Sequence, residues 1–237
     1  MGTLNQSETD TINLGNFNPI GANNEVVIWC TSPNGGTDLE PANDTIKVVT
    51  YGCDSLLQGV YTVGGSSADF YNMTEAVLAL ENCGLGGPVE FRLSRGTYGQ
   101  LLLTNVFGSN STNTITIVSV DEDANSVTFT GSPALKMSGI SNVNFRHVTF
   151  GNGTGGFGVT MMGKCDNVEF YHCKIQLSST TTTSGTYAFY KPQGVTCDNF
   201  RFIGNVVNGG YYGFYFYGQG TNVGEYNTNV RIDSNQF

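Results

Sequence analysis

The sequence predicts an all-β fold, a right-handed single-stranded parallel β-helix with three short strands in each coil. A pattern that recurs four times begins with an asparagine and places apolar residues one, three and eight positions later. Polar residues mostly fill the positions between them, as a short strand with one buried face requires. β-rich segments at 159–162, 187–190 and 214–217 lie between the repeats. Each coil therefore contains about three strands.

The composition also favours β-structure with many tight turns. The 237 residues include 32 glycines, and only 12% are Asp, Glu, Lys or Arg, which argues against a helical bundle, a coiled coil or a charge-rich disordered chain. The net charge of −9 argues against nucleic-acid partners, because binding phosphates requires clustered cations. No apolar stretch approaches the roughly 18 to 20 residues of a membrane span, so we expect no membrane insertion.

Asparagine has a structural reason to begin each repeat. Its side chain tolerates the left-handed backbone conformation of a turn, and its amide can donate to one coil while accepting from the next. We therefore expect a hydrogen-bonded ladder at one corner of the β-helix, formed by Asn142, Asn167, Asn199 and Asn229.

Two features precede the repeats. Segments 25–30 and 45–51 are β-rich. The residues between them include prolines and an Asn-Gly pair, which form turns, so the two segments predict a hairpin. Residues 69–84 predict the one convincing helix, with Asp69 or Asn72 as the N-cap. A helix at this place suits a β-helix, because the first coil otherwise leaves its apolar core and its strand edge in water.

Two resemblances indicate how the chain is organised. The segment WCTSPNGGTDLEPANDTIKV is similar to the last two strands of immunoglobulin-like modules in large secreted proteins of Bacteroidetes-type bacteria. The segments GVYTVGGSSADF, TEAVLAL, GGPVEFRLSRGTYGQLLL and NTITIVSV, with the later repeats, resemble pectin-lyase-like β-helix proteins of the same secreted class. The resemblances imply an immunoglobulin-like end and linker at 1–57 and a β-helix at 58–237.

The same resemblances imply an extracellular or cell-surface location. The strands that should precede the hairpin are absent from the sequence, and it stops partway round a coil without a polar cap. We therefore expect the β-helix to be truncated at its C-terminal end and to belong to a longer polypeptide, whose further domains are expected partners.

The pectin-lyase-like fold carries lyases, hydrolases, adhesins and structural spikes. Lyases of this fold use acidic residues that hold Ca²⁺ with an Arg or Lys base, and the hydrolases use clustered Asp residues. Neither cluster is evident in the sequence. We therefore expect a non-catalytic extracellular module with an adhesive, glycan-contacting or spacer role. The alternative is a polysaccharide lyase or glycoside hydrolase whose site lies partly beyond Phe237.

The aromatic segment YYGFYFY suggests where a glycan would bind. Alternation along a strand places its phenylalanines inside and Tyr215 and Tyr217 outside, and we expect Tyr190 of the preceding coil to stand beside Tyr217. Outward tyrosines on a flat sheet are a plausible stacking surface for the sugar rings of a polysaccharide or cell-surface glycan. The alternative is that the loop 176–185 or a neighbouring domain covers these rings.

Two pairs of residues are candidate metal ligands. Asp166 and Asp198 share a column one coil apart and could flank Ca²⁺, and His147 and His172 fall at the same position of successive coils. The alternative for both pairs is that they are turn residues, because Asp beside a ladder asparagine often caps its own backbone and the histidine column offers no third ligand. We expect no cofactor, with Ca²⁺ as the open alternative.

The six cysteines leave the redox compartment open. They show no C-x-x-C pair and no histidine at zinc-ligand spacing, which argues against a structural zinc site. Two disulfides in an oxidising compartment and six buried thiols are both compatible with this count. Cys165 and Cys197 align in successive repeats.

Overall fold

The computed structural model describes residues 15, 24–29, 45–50, 53, 55–151, 153, 156–180, 182–218 and 226–237. The chain divides into two compact units, Met1–Asp54 and Ser55–Phe237. The second unit is a parallel β-helix of about 6 turns. The fold class predicted from the sequence is therefore confirmed.

The described part of the first unit is an antiparallel hairpin. Strand β1 (Asn24–Trp29) pairs with β2 (Thr45–Thr50), with Val27 opposite Lys47. On its surface, Lys47 Nζ lies 3.0 Å from Glu25 Oε1. The immunoglobulin-like module expected at 1–57 stays a prediction, since most of those residues lie outside the described ranges.

Three parallel sheets form the sides of the β-helix, and each strand pairs with the equivalent strand of the next coil. Sheet 1 consists of β3 (Leu57–Val63), β4 (Leu85–Leu93), β7 (Ile115–Ser119), β10 (Val143–Arg146), β13 (Val168–Tyr171), β16 (Arg201–Ile203) and β19 (Arg231–Asp233). Sheet 2 consists of β5 (Gly96–Tyr98), β8 (Val127–Phe129), β11 (Thr149–Phe150), β14 (Lys174–Gln176) and β17 (Val206–Asn208). Sheet 3 consists of β6 (Leu101–Thr104), β9 (Leu135–Ser138), β12 (Phe157–Met162), β15 (Tyr187–Lys191) and β18 (Tyr212–Phe216).

The core lies inside the coils, at the apolar positions of the repeat. In the coil that follows Asn142, the three repeat positions Val143, Phe145 and Phe150 are completely buried. The Phe145 ring stacks on Phe170 of the next coil, with centroids 4.8 Å apart. Stacking between inward phenylalanines of successive coils therefore adds to strand pairing in holding the coils together.

The asparagines that begin the repeats form a continuous ladder. All four have left-handed φ values, from 52° to 62°. Asn167 Nδ2 donates to Asn142 Oδ1 at 2.8 Å, Asn199 Nδ2 to Asn167 Oδ1 at 2.7 Å, and Asn229 Nδ2 to Asn199 Oδ1 at 2.7 Å. These bonds join residues 25, 32 and 30 positions apart in the sequence. The ladder therefore stays at the same corner of the β-helix even though the coils differ in length.

A second asparagine column, not evident from the sequence, consists of the buried Asn205 and the partly buried Asn235. Asn205 Oδ1 accepts from Cys173 N at 2.8 Å, and Asn205 N donates to Asn235 Oδ1 at 2.8 Å. The Asn205 side chain also donates to Phe170 O at 3.0 Å. The column begins only in the third repeat, because the two earlier coils have Val148 and Cys173 at this position. Two asparagines are too few to appear as a repeat in the sequence.

The helix α1 (Met73–Cys83) covers the first coil and packs against β3 and β6. Asn72 is the N-cap, because its Oδ1 accepts from Glu75 N at 3.0 Å. Asp69 instead accepts hydrogen bonds from the backbone and hydroxyl of Thr62, which hold the pKa of Asp69 below its usual range. The helix therefore begins later than the predicted residue 69. No helix within the described ranges has the length and apolar character needed to cross a membrane.

The cysteines include both disulfide-bonded residues and buried free thiols, the two alternatives that the sequence left open. Cys53 and Cys83 each take part in a disulfide bond. Cys165, Cys173 and Cys197 are buried free thiols, and the sixth cysteine lies outside the described residues. Burial raises the pKa of the Cys173 thiol to about 12, so this thiol is neutral and inert at pH 7.

Candidate functional site

Aromatic side chains cluster on the outward face of sheet 3 in three consecutive coils. In-register pairing places Phe157 beside Tyr187 and Tyr187 beside Tyr212. Equivalent positions of neighbouring coils are only about 4.8 Å apart, so their rings stand next to each other. Together these side chains form the tyrosine surface, which consists of Phe157, Tyr187, Tyr190, Tyr212, Tyr215 and Tyr217.

Ring contacts make the tyrosine surface a continuous layer. The Tyr187 and Tyr212 rings are stacked, with centroids 4.9 Å apart and planes 13° apart. Tyr190 and Tyr215 are stacked at 5.6 Å and 29°, and the 4.6 Å contact between Tyr187 and Tyr190 joins the two columns. Each ring limits the rotation of its neighbours. The aromatic surface is therefore ordered before a ligand binds, which lowers the entropic cost of binding.

The prediction that Tyr190 stands beside Tyr217 is wrong. The inward phenylalanines set the register, because Phe189 pairs with Phe214 and their rings stack with centroids 4.7 Å apart. The outward neighbour of Tyr190 is consequently Tyr215. Tyr217 follows the end of β18, and its ring centroid lies 5.9 Å from that of Tyr215. The three predicted tyrosines still belong to one surface.

The tyrosine surface is open to solvent at two of its rings. Tyr212 and Tyr217 are each 40% exposed, so the described residues of the loop at 176–185 do not cover these two rings. Desolvation and the neighbouring tyrosines raise the pKa of Tyr215 above its usual value. Its hydroxyl is therefore neutral at pH 7 and can both donate and accept hydrogen bonds.

The outward column that contains Tyr190 and Tyr215 runs the length of sheet 3. Strand pairing extends it through Thr160, Lys136 and Leu102. These five positions include one cation and no carboxylate, although acidic residues outnumber basic ones by 19 to 10 in the whole chain. The column therefore offers an aromatic and hydroxyl-rich surface that does not repel neutral polar ligands or anions.

A cleft of about 760 Å³ lies at the other end of the same face, between α1 and β6. Tyr71, Leu78 and Glu81 line it on the helix side, and Leu102 lines it on the sheet side. Its volume falls within the range of small-molecule sites. The sequence analysis missed this cleft because it depends on how the helix packs against the first coils. Leu102 belongs both to the cleft and to the outward column of Tyr190.

His147 and His172 lie at the turn between sheets 1 and 2 in successive coils. Both have left-handed φ values, 53° and 50°. Their rings are parallel within 6°, with centroids 5.6 Å apart. Burial, together with the positive charge that His172 would carry, lowers the pKa of His147. The two rings thus form a stack, and the next coil continues it with Gly204 and not with a third ligand.

Gly204 lies beside the His172 ring and leaves no room for a side chain of its own. Its φ is +66°, and a Cβ built there would lie 2.8 Å from His172 Cε1. Gly204→Ala is expected to lower the free energy of unfolding by about 1 to 3 kcal/mol, measured by urea denaturation. Gly139→Ala is the control, because Gly139 has φ +70° with no atom within 4 Å of the added Cβ. Equal losses in the two variants would show that the contact with His172 has no energetic weight.

Asp166 and Asp198 lie one coil apart, and each carboxylate accepts a hydrogen bond from a backbone N–H of the following coil. Asp198 N donates to Asp166 Oδ1 at 3.0 Å, and Thr228 N donates to Asp198 Oδ1 at 2.7 Å. Lys164 Nζ lies 2.9 Å from Asp166 Oδ2. The hydroxyl and backbone hydrogen bonds of Thr228 hold the pKa of Asp198 below its usual range. The column is therefore a carboxylate ladder that links coils.

The described residues contain no group of three or more His, Cys, Asp or Glu side chains that could hold a metal ion. The candidate ligands occur as two separate pairs, and each pair has a role in the fold. Ca²⁺ typically takes six to eight oxygen ligands, which one aspartate pair with engaged oxygens does not provide.

Lys191 is a buried cation behind the tyrosine surface, and the sequence analysis missed it. Its side chain is completely buried and occupies the inward column beside Phe216. Lys191 Nζ donates to Tyr217 O at 2.6 Å and lies 4.9 Å from the centre of the Phe216 ring. Burial lowers the pKa of Lys191. Strict alternation from Phe189 would have placed this lysine inside, but a lysine followed by proline looks like the start of a loop.

A scan against protein-family models matches no family, and searches of curated proteins and of solved structures find no match to this chain.

Proposed function

We propose that the β-helix is a non-catalytic binding module of a secreted or cell-surface protein, and that the tyrosine surface contacts the sugar rings of a polysaccharide or surface glycan. The observation that carries the proposal is the layer of ordered aromatic rings on one face of sheet 3. A scattered set of exposed tyrosines would not support it, because single exposed aromatic residues are common on protein surfaces.

The chemistry of this layer fits a carbohydrate. Tyrosine combines an apolar ring with a polar hydroxyl, so the C–H face of a pyranose can pack on the ring while its hydroxyl groups bond to the phenol oxygen. Stacking of Tyr190 on Tyr215 and of Tyr187 on Tyr212 repeats the same chemistry one coil further along. A surface that repeats in one direction suits an extended polymer.

The redox state of the cysteines supports an extracellular location. Cys53 and Cys83 each take part in a disulfide bond, and stable disulfides are typical of secreted and surface proteins and rare in the cytosol. The excess of acidic residues, 19 against 10 basic ones, favours neutral or cationic partners over nucleic acid.

The test is glycan retention by the double variant Tyr190→Ala/Tyr215→Ala. Affinity electrophoresis against neutral and acidic polysaccharides should identify a retained glycan for the wild type, and the double variant should bind it about tenfold more weakly, since each lost aromatic contact is worth about 0.5 to 1.5 kcal/mol. Both rings point outward and are only partly buried, so the double variant should lose much less stability than truncation of a core phenylalanine.

Tyr171→Ala is the matched control, because Tyr171 is a partly exposed tyrosine on the outward face of sheet 1. It should retain the glycan as the wild type does. Equal retention by the double variant and the wild type, or retention of no polysaccharide, would contradict the proposal. Release of unsaturated or reducing ends from the polysaccharides would contradict its non-catalytic part and favour the lyase or hydrolase.

A further inference from the structure

Two thiols lie next to each other inside the β-helix. Cys165 and Cys197 are both completely buried. Cys165 N donates to Thr196 O at 3.1 Å, and Asn167 N donates to Asp198 O at 2.8 Å. These two backbone bonds flank the pair and place Cys197 directly beside Cys165 in the next coil.

The geometry of the pair suits a disulfide. Equivalent residues of neighbouring parallel strands lie about 4.8 Å apart, and cysteines in disulfides have Cα atoms about 4.4 to 6.8 Å apart. Both side chains are completely buried, so they lie on the same, inward side of the backbone. The expected Cα spacing of the pair therefore falls within the range found in disulfides.

Hydrogen bonding, and not nearby charge, favours the reactive form of one thiol. Burial lowers the pKa of Lys191, and attraction to Cys197 and Cys165 acts in the opposite direction. The hydrogen bond from Cys197 lowers the pKa of Cys165 and raises that of Cys197. Cys165 is consequently the better nucleophile, since the thiolate is the species that attacks a disulfide.

We propose that Cys165 and Cys197 are a thiol–disulfide exchange site, which a low-molecular-weight disulfide such as oxidised glutathione converts into a bond between two coils. The Cys165 thiolate attacks one glutathione sulfur, the glutathione disulfide breaks, and one glutathione leaves. Cys197 then attacks the Cys165 sulfur, and the second glutathione leaves. The two protein thiols give up two electrons and two protons, and two reduced glutathione molecules carry both away.

The product links residues 165 and 197 across one full coil. It lies beside Lys191, whose Nζ holds Tyr217 O, so the bond would stiffen the coil behind one end of the tyrosine surface. The proposal stands on the buried cysteines alone and does not depend on glycan binding.

The test uses the full chain with and without oxidised glutathione, both in the folded state and during refolding from urea, because the folded thiols are shielded from solvent. Alkylation and trypsin digestion then give fragments 165–174 and 175–201. Mass spectrometry should detect these two fragments joined by a disulfide in the oxidised sample. Absence of the joined fragments under both conditions would overturn the proposal.

Variants decide which cysteine is used, because Cys173 shares a fragment with Cys165. Cys173→Ser should still give the joined fragments, and Cys165→Ser should not. Persistence of the joined fragments in Cys165→Ser would overturn the assignment. Oxidation should also raise the unfolding midpoint of the wild type and of Cys173→Ser by about 5 to 10 °C and leave that of Cys165→Ser unchanged.

Discussion

Replacing Phe170 by alanine is expected to lower the free energy of unfolding by about 3 to 5 kcal/mol. The Phe170 ring is completely buried. Its centroid lies 4.8 Å from that of Phe145, 5.5 Å from Phe189 and 5.8 Å from Phe202. Truncation would open a cavity between three coils, which the rigid strand pairing around it cannot close.

Urea denaturation of the wild type and Phe170→Ala measures this loss. Phe107→Ala is the control, because Phe107 is 75% exposed, and a surface substitution of this kind changes stability by about 0.5 kcal/mol or less. A loss below about 1 kcal/mol in Phe170→Ala would mean that the phenylalanine column does not hold the coils together.

Asn167→Ala is expected to lower the free energy of unfolding by about 2 to 4 kcal/mol. The substitution removes the bond to Asn142 Oδ1 and the bond from Asn199 Nδ2. It also places alanine at a φ of 53°, a left-handed conformation that costs a residue with a Cβ about 1 to 2 kcal/mol. Asn167→Ala therefore breaks the ladder in the middle and strains the turn.

Asn167→Gly separates these two effects, since glycine adopts the left-handed conformation without strain. It should lose only the amide hydrogen bonds, so its unfolding midpoint in urea should lie between those of Asn167→Ala and the wild type. Equal stability of Asn167→Gly and the wild type would show that the ladder bonds add nothing, and that asparagine is present only for its backbone conformation.

The fold could be predicted from the sequence because each coil repeats the same local requirements. Inward positions such as Val143 and Phe145 must be apolar, and Asn142 must tolerate a left-handed turn while it bonds to the next coil. These requirements leave a pattern in the sequence even when the coils differ in length.

The details of the site could not be predicted in the same way. The register of β15 and β18 depends on how Phe189 packs on Phe214, which the tyrosine pattern alone does not fix. Lys191 was missed because a lysine on an inward column needs a buried acceptor, and this acceptor is a backbone carbonyl, Tyr217 O. Backbone carbonyls leave no signal in a sequence.

The most direct test of the proposed function is the structure of the chain bound to an oligosaccharide of the glycan that it retains. We expect a sugar ring in van der Waals contact, about 4 Å, with Tyr190 and Tyr215, oriented along the direction in which the coils repeat. An oligosaccharide bound in the cleft beside Tyr71 and Leu102, with the tyrosine surface left empty, would contradict it.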